Sequence, residues 1–241
     1  MIAARARAVV ITLSVVLFVG AALALGAKSR QAPPARPEAQ RPTLLLLTSL
    51  PLMFGEDFSL KGGGSTALQR LQARYRVRPI SVSSASELAH GRLLMMAQPL
   101  AQTPENLVAL DDWVRGGGRV LVLADPMLEW PSKRPLGDLL RPPPMFMDTG
   151  LLAHWGLKLD APEQRGPAKR TLGGYDQLTM SPGSLIGTCK ISGDRLVAQC
   201  RVGKGRATVV ADADLLNVQA LGGAAGHNLD GVMEELAGLE S

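Results

Sequence analysis

Residues 8–27 read AVVITLSVVLFVGAALALGA, twenty positions with no charged side chain and only Thr12 and Ser14 polar. As a helix rising about 1.5 Å per residue, the run spans roughly 30 Å, the thickness of a bilayer's hydrocarbon core. It sets the compartment of everything that follows, and so the chemistry open to the rest of the chain. Arg5 and Arg7 precede it, as in a secretory signal or an anchor whose N-terminus stays inside. Ala22-Leu23-Ala24 offers a small-x-small cleavage site. The run nevertheless exceeds the roughly 7–15 residues of a signal's apolar core, which favours an uncleaved anchor. Lys28, Arg30, Arg36 and Arg41 on the far side weaken the charge bias, while early emergence of the short N-terminus favours export of the bulk. The expected address is the inner (cytoplasmic) membrane, single-pass, with residues 8–27 in the lipid bilayer and the bulk of the chain periplasmic.

The formal net charge of +5 invites a nucleic-acid reading, and its distribution removes it. Residues 1–42 hold six Lys/Arg and one Asp/Glu, leaving 20 basic and 20 acidic side chains in the remaining 199 residues. Aromatic residues make up 4% of the chain, too few for base-stacking platforms, so no nucleic-acid partner is expected. The basic tail suits anionic lipid headgroups instead.

Three regions follow: an anchor over 1–27, a Pro-rich linker over 28–42, and a folded domain over 43–241. The linker, KSRQAPPARPEAQRP, lacks apolar periodicity and should be extended, reaching about 45 Å at about 3.1 Å per residue. The domain opens with Leu44-Leu45-Leu46-Leu47, the continuous apolar run of a strand buried on both faces of a parallel sheet. After Gly62-Gly63-Gly64, Ser65 can cap a helix bearing Leu68, Leu71 and Tyr75 on one face, and Val77–Val82 reads as a second strand. Ser84-Ala85-Ser86-Glu87 is a capping box. The clearest unit is Leu93–Asp125. There a strand at 93–97 precedes a helix capped by Thr103 with Pro104 at its first position. Gly116-Gly117-Gly118 stops the helix, and a strand from Val120 to Leu123 completes a right-handed βαβ crossover. Residues 131–147 are Pro-rich and irregular. A short helix at 150–155, a strand at 157–159, strand-rich sequence over 171–211 with a hairpin turn at Gly193-Asp194, and a closing helix at 228–239 complete the domain.

The segments LVALDDWVRGGGRVLVLADP (107–126) and GKGRATVVADADLLN (203–217) resemble the GldG-like auxiliary component of gliding-motility-type ABC transport systems. That group shares a glutamine-amidotransferase-like α/β domain with domains of unknown function and with an intraflagellar transport subunit. The resemblance spans most of 43–239 and implies a flavodoxin/amidotransferase-like, mostly parallel sheet with flanking helices and a strand-rich C-terminal hairpin region. It also implies an ABC permease, or another envelope protein, as partner. The chain departs from the group in being short, with one apolar segment near its N-terminus and no second one near its C-terminus.

Amidotransferase chemistry needs a Cys on a strand-to-helix elbow, activated by a His that a carboxylate holds. Cys189 and Cys200 sit instead in the strand-rich part, neither following a buried strand into a helix, so no catalytic residue is assigned. They straddle the Gly193-Asp194 turn, and in an exported domain they should form a disulfide, the alternative being two buried thiols. Without a nearby His they make no metal site, and no cofactor or metal is expected. Asp125, Asp212 and Asp214 lie at the carboxyl ends of expected parallel strands, where doubly wound folds bind ligands. They could hold a divalent cation or act as a base, or simply form caps and turns. His227 could approach the same strand ends, while His90 and His154 lack metal-ligand spacing. Gly62–Thr66 lacks the Gly-Lys-Ser/Thr ending of a phosphate loop, and Gly203-Lys204-Gly205 fits a tight turn. Met145, Phe146 and Met147, with Trp130 and Trp155 nearby, form either a docking patch or a cover for the sheet. The function expected is a non-enzymatic accessory or binding subunit. The rival is a hydrolase or a small-ligand or divalent-cation enzyme built on the three aspartates.

Overall fold

Leu44-Leu45-Leu46-Leu47 forms the middle of β1 (Thr43–Thr48), and alternation sends Leu44 and Leu46 to one side of a sheet and Leu45 and Leu47 to the other. A strand apolar on both sides must be covered on both, and the chain supplies the covers. The computed structural model describes residues 31–54 and 64–240. The expected anchor 8–27 and Gly62-Gly63 lie outside these. Among the described residues no helix is long and apolar enough to cross a membrane.

The seven-stranded central sheet contains β1, β2 (Arg76–Pro79), β3 (Leu93–Ala97), β4 (Arg119–Leu123), β9 (Lys190–Ile191), β10 (Val197–Val202) and β11 (Gly205–Val210). Its order is β2-β1-β3-β4-β11-β10-β9, parallel from β2 to β11 and antiparallel beyond. Counted along the chain, the five parallel strands run 2-1-3-4-5, a doubly wound order whose direction switches between β1 and β3. Two small antiparallel pairs stand apart: β5 (Leu157–Asp160) with β8 (Ser184–Gly187), and β6 (Pro167–Leu172) with β7 (Tyr175–Met180).

On one face lie α1 (Thr66–Gln72) and the closing helix α6 (Asn228–Glu240), packing Leu68, Leu71, Val232 and Leu236 onto Leu44, Leu46, Met95 and Leu121. On the other lie α2 (Ala85–Leu88), α3 (Pro104–Arg115) and α4 (Leu151–His154). There Leu88, Leu110, Val114 and Leu152 cover Leu45, Leu94, Val120 and Val122. A short helix, α5 (Val218–Leu221), precedes α6. The caps are those the sequence indicates: the side-chain oxygens of Ser65, Ser84 and Thr103 accept from the N–H groups of Leu68, Glu87 and Asn106. β2 is shorter than expected and ends at Pro79, which has no N–H for a ladder and is tolerated because β2 is an edge strand.

The Gly193-Asp194 turn joins β9 to β10, closed by the Arg195 N–H donating to the Ser192 carbonyl at 2.9 Å. Cys189 and Cys200 are bridged across it, with Cα atoms 4.8 Å apart. The described end of the linker is fastened to the domain. The Arg36 N–H donates to the Ala73 carbonyl at 2.9 Å and its guanidinium pairs with Glu240 at 2.6 Å, while Arg74 donates to the Pro34 carbonyl at 3.0 Å.

Two stability outcomes follow from these contacts. A methyl group at Gly205 would collide with the carbonyl oxygens of Val114 and Gly118, whereas one at Gly193 meets nothing within 4 Å. Gly205→Ala should cost about 1–3 kcal/mol in chemical denaturation, and Gly193→Ala less than about 0.5 kcal/mol. The disulfide closes a loop of sequence separation 11. Its reduction should lower unfolding free energy by about 3 kcal/mol if constraint of the unfolded chain dominates, and an unchanged denaturation midpoint would refute that account.

Candidate functional site

The carboxyl ends of β1, β3, β4 and β11 form one platform, because parallel strands all finish on the same side. Asp125 follows β4 by two residues and Asp212 follows β11 by two, and the structure draws them together with Asp214. Asp125 accepts from the N–H groups of Met127 (2.8 Å) through Oδ1 and of Ala213 (2.9 Å) and Asp214 (3.3 Å) through Oδ2. Asp212 accepts from the Leu215 N–H at 2.9 Å and the Thr179 hydroxyl at 2.6 Å. Asp214 accepts from the Glu129 N–H at 2.7 Å, and Glu129 takes the Ser181 hydroxyl. Thus Asp212 caps the 3-10 turn Asp214–Leu216, and Asp214 reaches across to hold the loop after β4.

All three aspartates are buried. Burial, reinforced by the charge of Glu129 and opposed by three backbone N–H groups, pushes the Asp125 carboxyl up from its usual 3.8 to about 6. Burial and then the neighbouring Asp125 charge push Asp214 up to about 7. Asp212 is raised for the same two reasons, against the bonds from Thr179 and Leu215. Among the described residues no group of three or more His, Cys, Asp or Glu side chains is placed to hold a metal ion. His227 does not join the cluster through a hydrogen bond: its ring pairs with Asp230 at 3.2 Å and stacks on Tyr175.

A residue that pattern reading passes over sits at the centre of the platform. Gln98, the first residue after β3, has φ 43°, in the left-handed region that a non-glycine residue adopts only when its surroundings impose it. Its buried amide accepts from the Asp125 N–H at 3.0 Å and donates to the Asp125 and Pro143 carbonyls at 3.2 Å each. The Gln98 amide thus ties the turn after β3 to the loop after β4. The signal in the sequence is a lone polar residue, followed by proline, at the end of an all-apolar strand.

Beside it, at the switch between β1 and β3, opens a cleft of about 490 Å³. Ser49, Leu50, Ile80, Leu100, Leu139 and Leu140 are among its lining residues, and Leu139 is 87% exposed. The irregular loop 131–147 divides as both readings of it allowed. Phe146 packs against the sheet and Trp130 against the other core face, while Met145 and Met147 are half exposed.

No family model matches the chain, and no curated protein is similar to it. Among solved structures it is similar to a cytoplasmic protein from Salmonella typhimurium, at TM-score 0.52 and 11% identity over 82% of this chain and 98% of that one. It is also similar to the mmIFT52 N-terminal domain, at TM-score 0.50 and 16% identity over 81% of this chain and 97% of that one. A GH42 beta-galactosidase from G. stearothermophilus matches at TM-score 0.51 and 14% identity over 85% of this chain and 30% of that one. The chain spans about a third of the length of the glycosidases it matches. At these identities the likeness is one of fold, a mixed α/β domain with a mostly parallel central sheet.

The aspartate cluster gives stability a direction with pH. Between about pH 4 and pH 7 the folded state binds more protons at Asp125, Asp212 and Asp214 than the unfolded chain does. Their contribution is therefore full below about pH 4 and is lost as pH rises through the folded values of about 6 and about 7. Asp111 and Glu240 act oppositely. Burial is outweighed there by Arg115 and Trp155, and by Arg36, Tyr75 and Arg74, so their contribution is lost as pH falls through the usual carboxylate range. The melting temperature should rise from pH 8 to pH 5.5, and Asp214→Asn should flatten that rise near pH 7.

Proposed function

We propose that the protein is a membrane-anchored, non-enzymatic binding subunit with a flavodoxin/amidotransferase-like domain, serving an ABC-type permease of the kind its GldG-like segments suggest. The observation that carries the non-enzymatic reading is the division of labour on the platform. The carboxylates are buried and bonded to backbone N–H groups that hold the loops, while the accessible part of the platform is an apolar cleft. A surface of Leu100, Leu139 and Leu140 supplies apolar area for a protein partner, with Ser49, Ser81 and Arg134 as polar side chains beside it. The Cys189–Cys200 disulfide supports the exported location. The likeness to a cytoplasmic Salmonella protein means that the fold itself carries no address. The rival reading, an enzyme built on Asp125, Asp212 and Asp214, draws support from the Asp214 carboxyl titrating near neutrality.

Affinity purification of the full-length protein from its own membranes separates the two. Permease components should be retained, and Leu139→Glu should reduce their recovery by about tenfold or more, as expected for a central apolar contact. Asp214→Asn should leave recovery unchanged. Loss of the cellular phenotype in a stably folded Asp214→Asn variant, with recovery intact, would favour the enzyme.

A further inference from the structure

The five parallel strands share a chemical pattern at their starts. Arg41 stands two residues before β1, Arg76 opens β2, Arg92 immediately precedes β3, Arg119 opens β4, and Arg206 is the second residue of β11. Parallel strands begin at one end of the sheet, so all five arginines lie on one rim, opposite the aspartate platform. Arg201 and Lys204, exposed at the β10–β11 turn, extend the same rim. Glu240 at this end is already engaged by Arg36 and Arg74, and Asp111 by Arg115. Glu38, Glu87, Asp112 and Glu235, which lines a cavity together with Arg201 and Arg206, are the other acidic side chains set against these cations, and they are fewer than the basic ones. A domain of zero net charge is therefore basic at one end. Between Arg92 and Arg119 the rim is indented by a notch of about 400 Å³, lined also by His90 and Glu240, where the Arg119 guanidinium donates to the Glu240 carbonyl at 2.6 Å.

We infer that this rim docks on an anionic bilayer surface, with headgroup phosphates meeting its exposed arginines Arg76, Arg92 and Arg201. The inference rests on the anchored reading above for its geometry. Pro34 and Arg36 are fastened to Arg74, Ala73 and Glu240 at this end of the sheet, and in the sequence only six residues separate Pro34 from the expected anchor's last residue, Ala27. The chain enters the domain at this same rim, at Thr43. A basic surface joined to the expected anchor by so few residues can approach to within the roughly 8 Å reach of the headgroup potential.

The test places a photo-crosslinking side chain at Lys204 of the full-length protein, or at Leu139 on the opposite end. Each protein is incorporated with vesicles of phosphatidylcholine alone or with about one-third phosphatidylglycerol. Lipid adducts at position 204 should be about threefold or more abundant with the anionic vesicles, and position 139 should give none. The excess should vanish near 0.5 M salt, where the screening length is a few ångströms, and in Arg76→Gln/Arg92→Gln/Arg206→Gln. The single variant Arg92→Gln, at an exposed position, should reduce it partly. Equal adducts with both vesicles, or adducts at 139 instead, would overturn the inference. So would abolition by inorganic phosphate at matched ionic strength, which would make the rim a soluble-anion site, or crosslinking to an acidic protein in place of lipid. Flotation with neutral vesicles reads the anchor separately. A chain that does not float with them, yet gives the position 204 excess with anionic ones, loses the anchor and keeps the docking.

Discussion

Everything in this domain depends on β1, β3, β4 and β11 being apolar toward both faces of the sheet. A strand such as Leu93–Ala97, buried at all five positions, is stable only when helices or loops cover both sides. Parallel neighbours require crossovers of a dozen or more residues, and those crossovers are the covering helices. Right-handed connections from a starting strand then place α1 on one face and α3 on the other, with α6 returning to close the first. The same constraint polarises the molecule. With the starts of the five parallel strands at one end and their finishes at the other, a residue's place in its loop decides which end it joins. Arginines before strands become one rim and aspartates after strands become one platform.

On the platform, burial decides what the aspartates do. A carboxylate removed from water must be repaid by donors, and the donors at hand are the N–H groups of the turns that the aspartates themselves begin. Asp125 binds the turn after β11, Asp212 caps it, and Asp214 holds the loop after β4, so the three acids lock two loops together. Gln98 completes the lock by holding the third loop, at the cost of a left-handed backbone.

Much of the fold is legible in the sequence wherever the signal is local. The strand–helix–strand unit at 93–123, the caps at Ser65, Ser84 and Thr103, the Gly193-Asp194 turn and the Cys189–Cys200 bridge each depend on residues within about a dozen positions, and each is present. The end of β2 is misread because Val77–Val82 continues an apolar pattern past Pro79, and the missing N–H outweighs the pattern. The candidate site is legible only as a list of polar residues at strand ends. That Asp214 turns to Glu129 and that Gln98 matters at all are decided by contacts spanning 85 and 27 positions, while the local bond from the Leu215 N–H to Asp212 spans three.

The sequence by itself determined the class of this domain, its order of elements, the neutral balance of its charges and the placement of its two cysteines on either side of one turn. Each is a matter of composition, period or short spacing. Only the tertiary structure decided where those charges go, and that an apolar cleft opens at the strand switch. The reason is physical: burial and long-range proximity, which set whether a carboxylate caps or catalyses and whether scattered arginines act as one surface, are properties of the packed sheet and not of any segment alone.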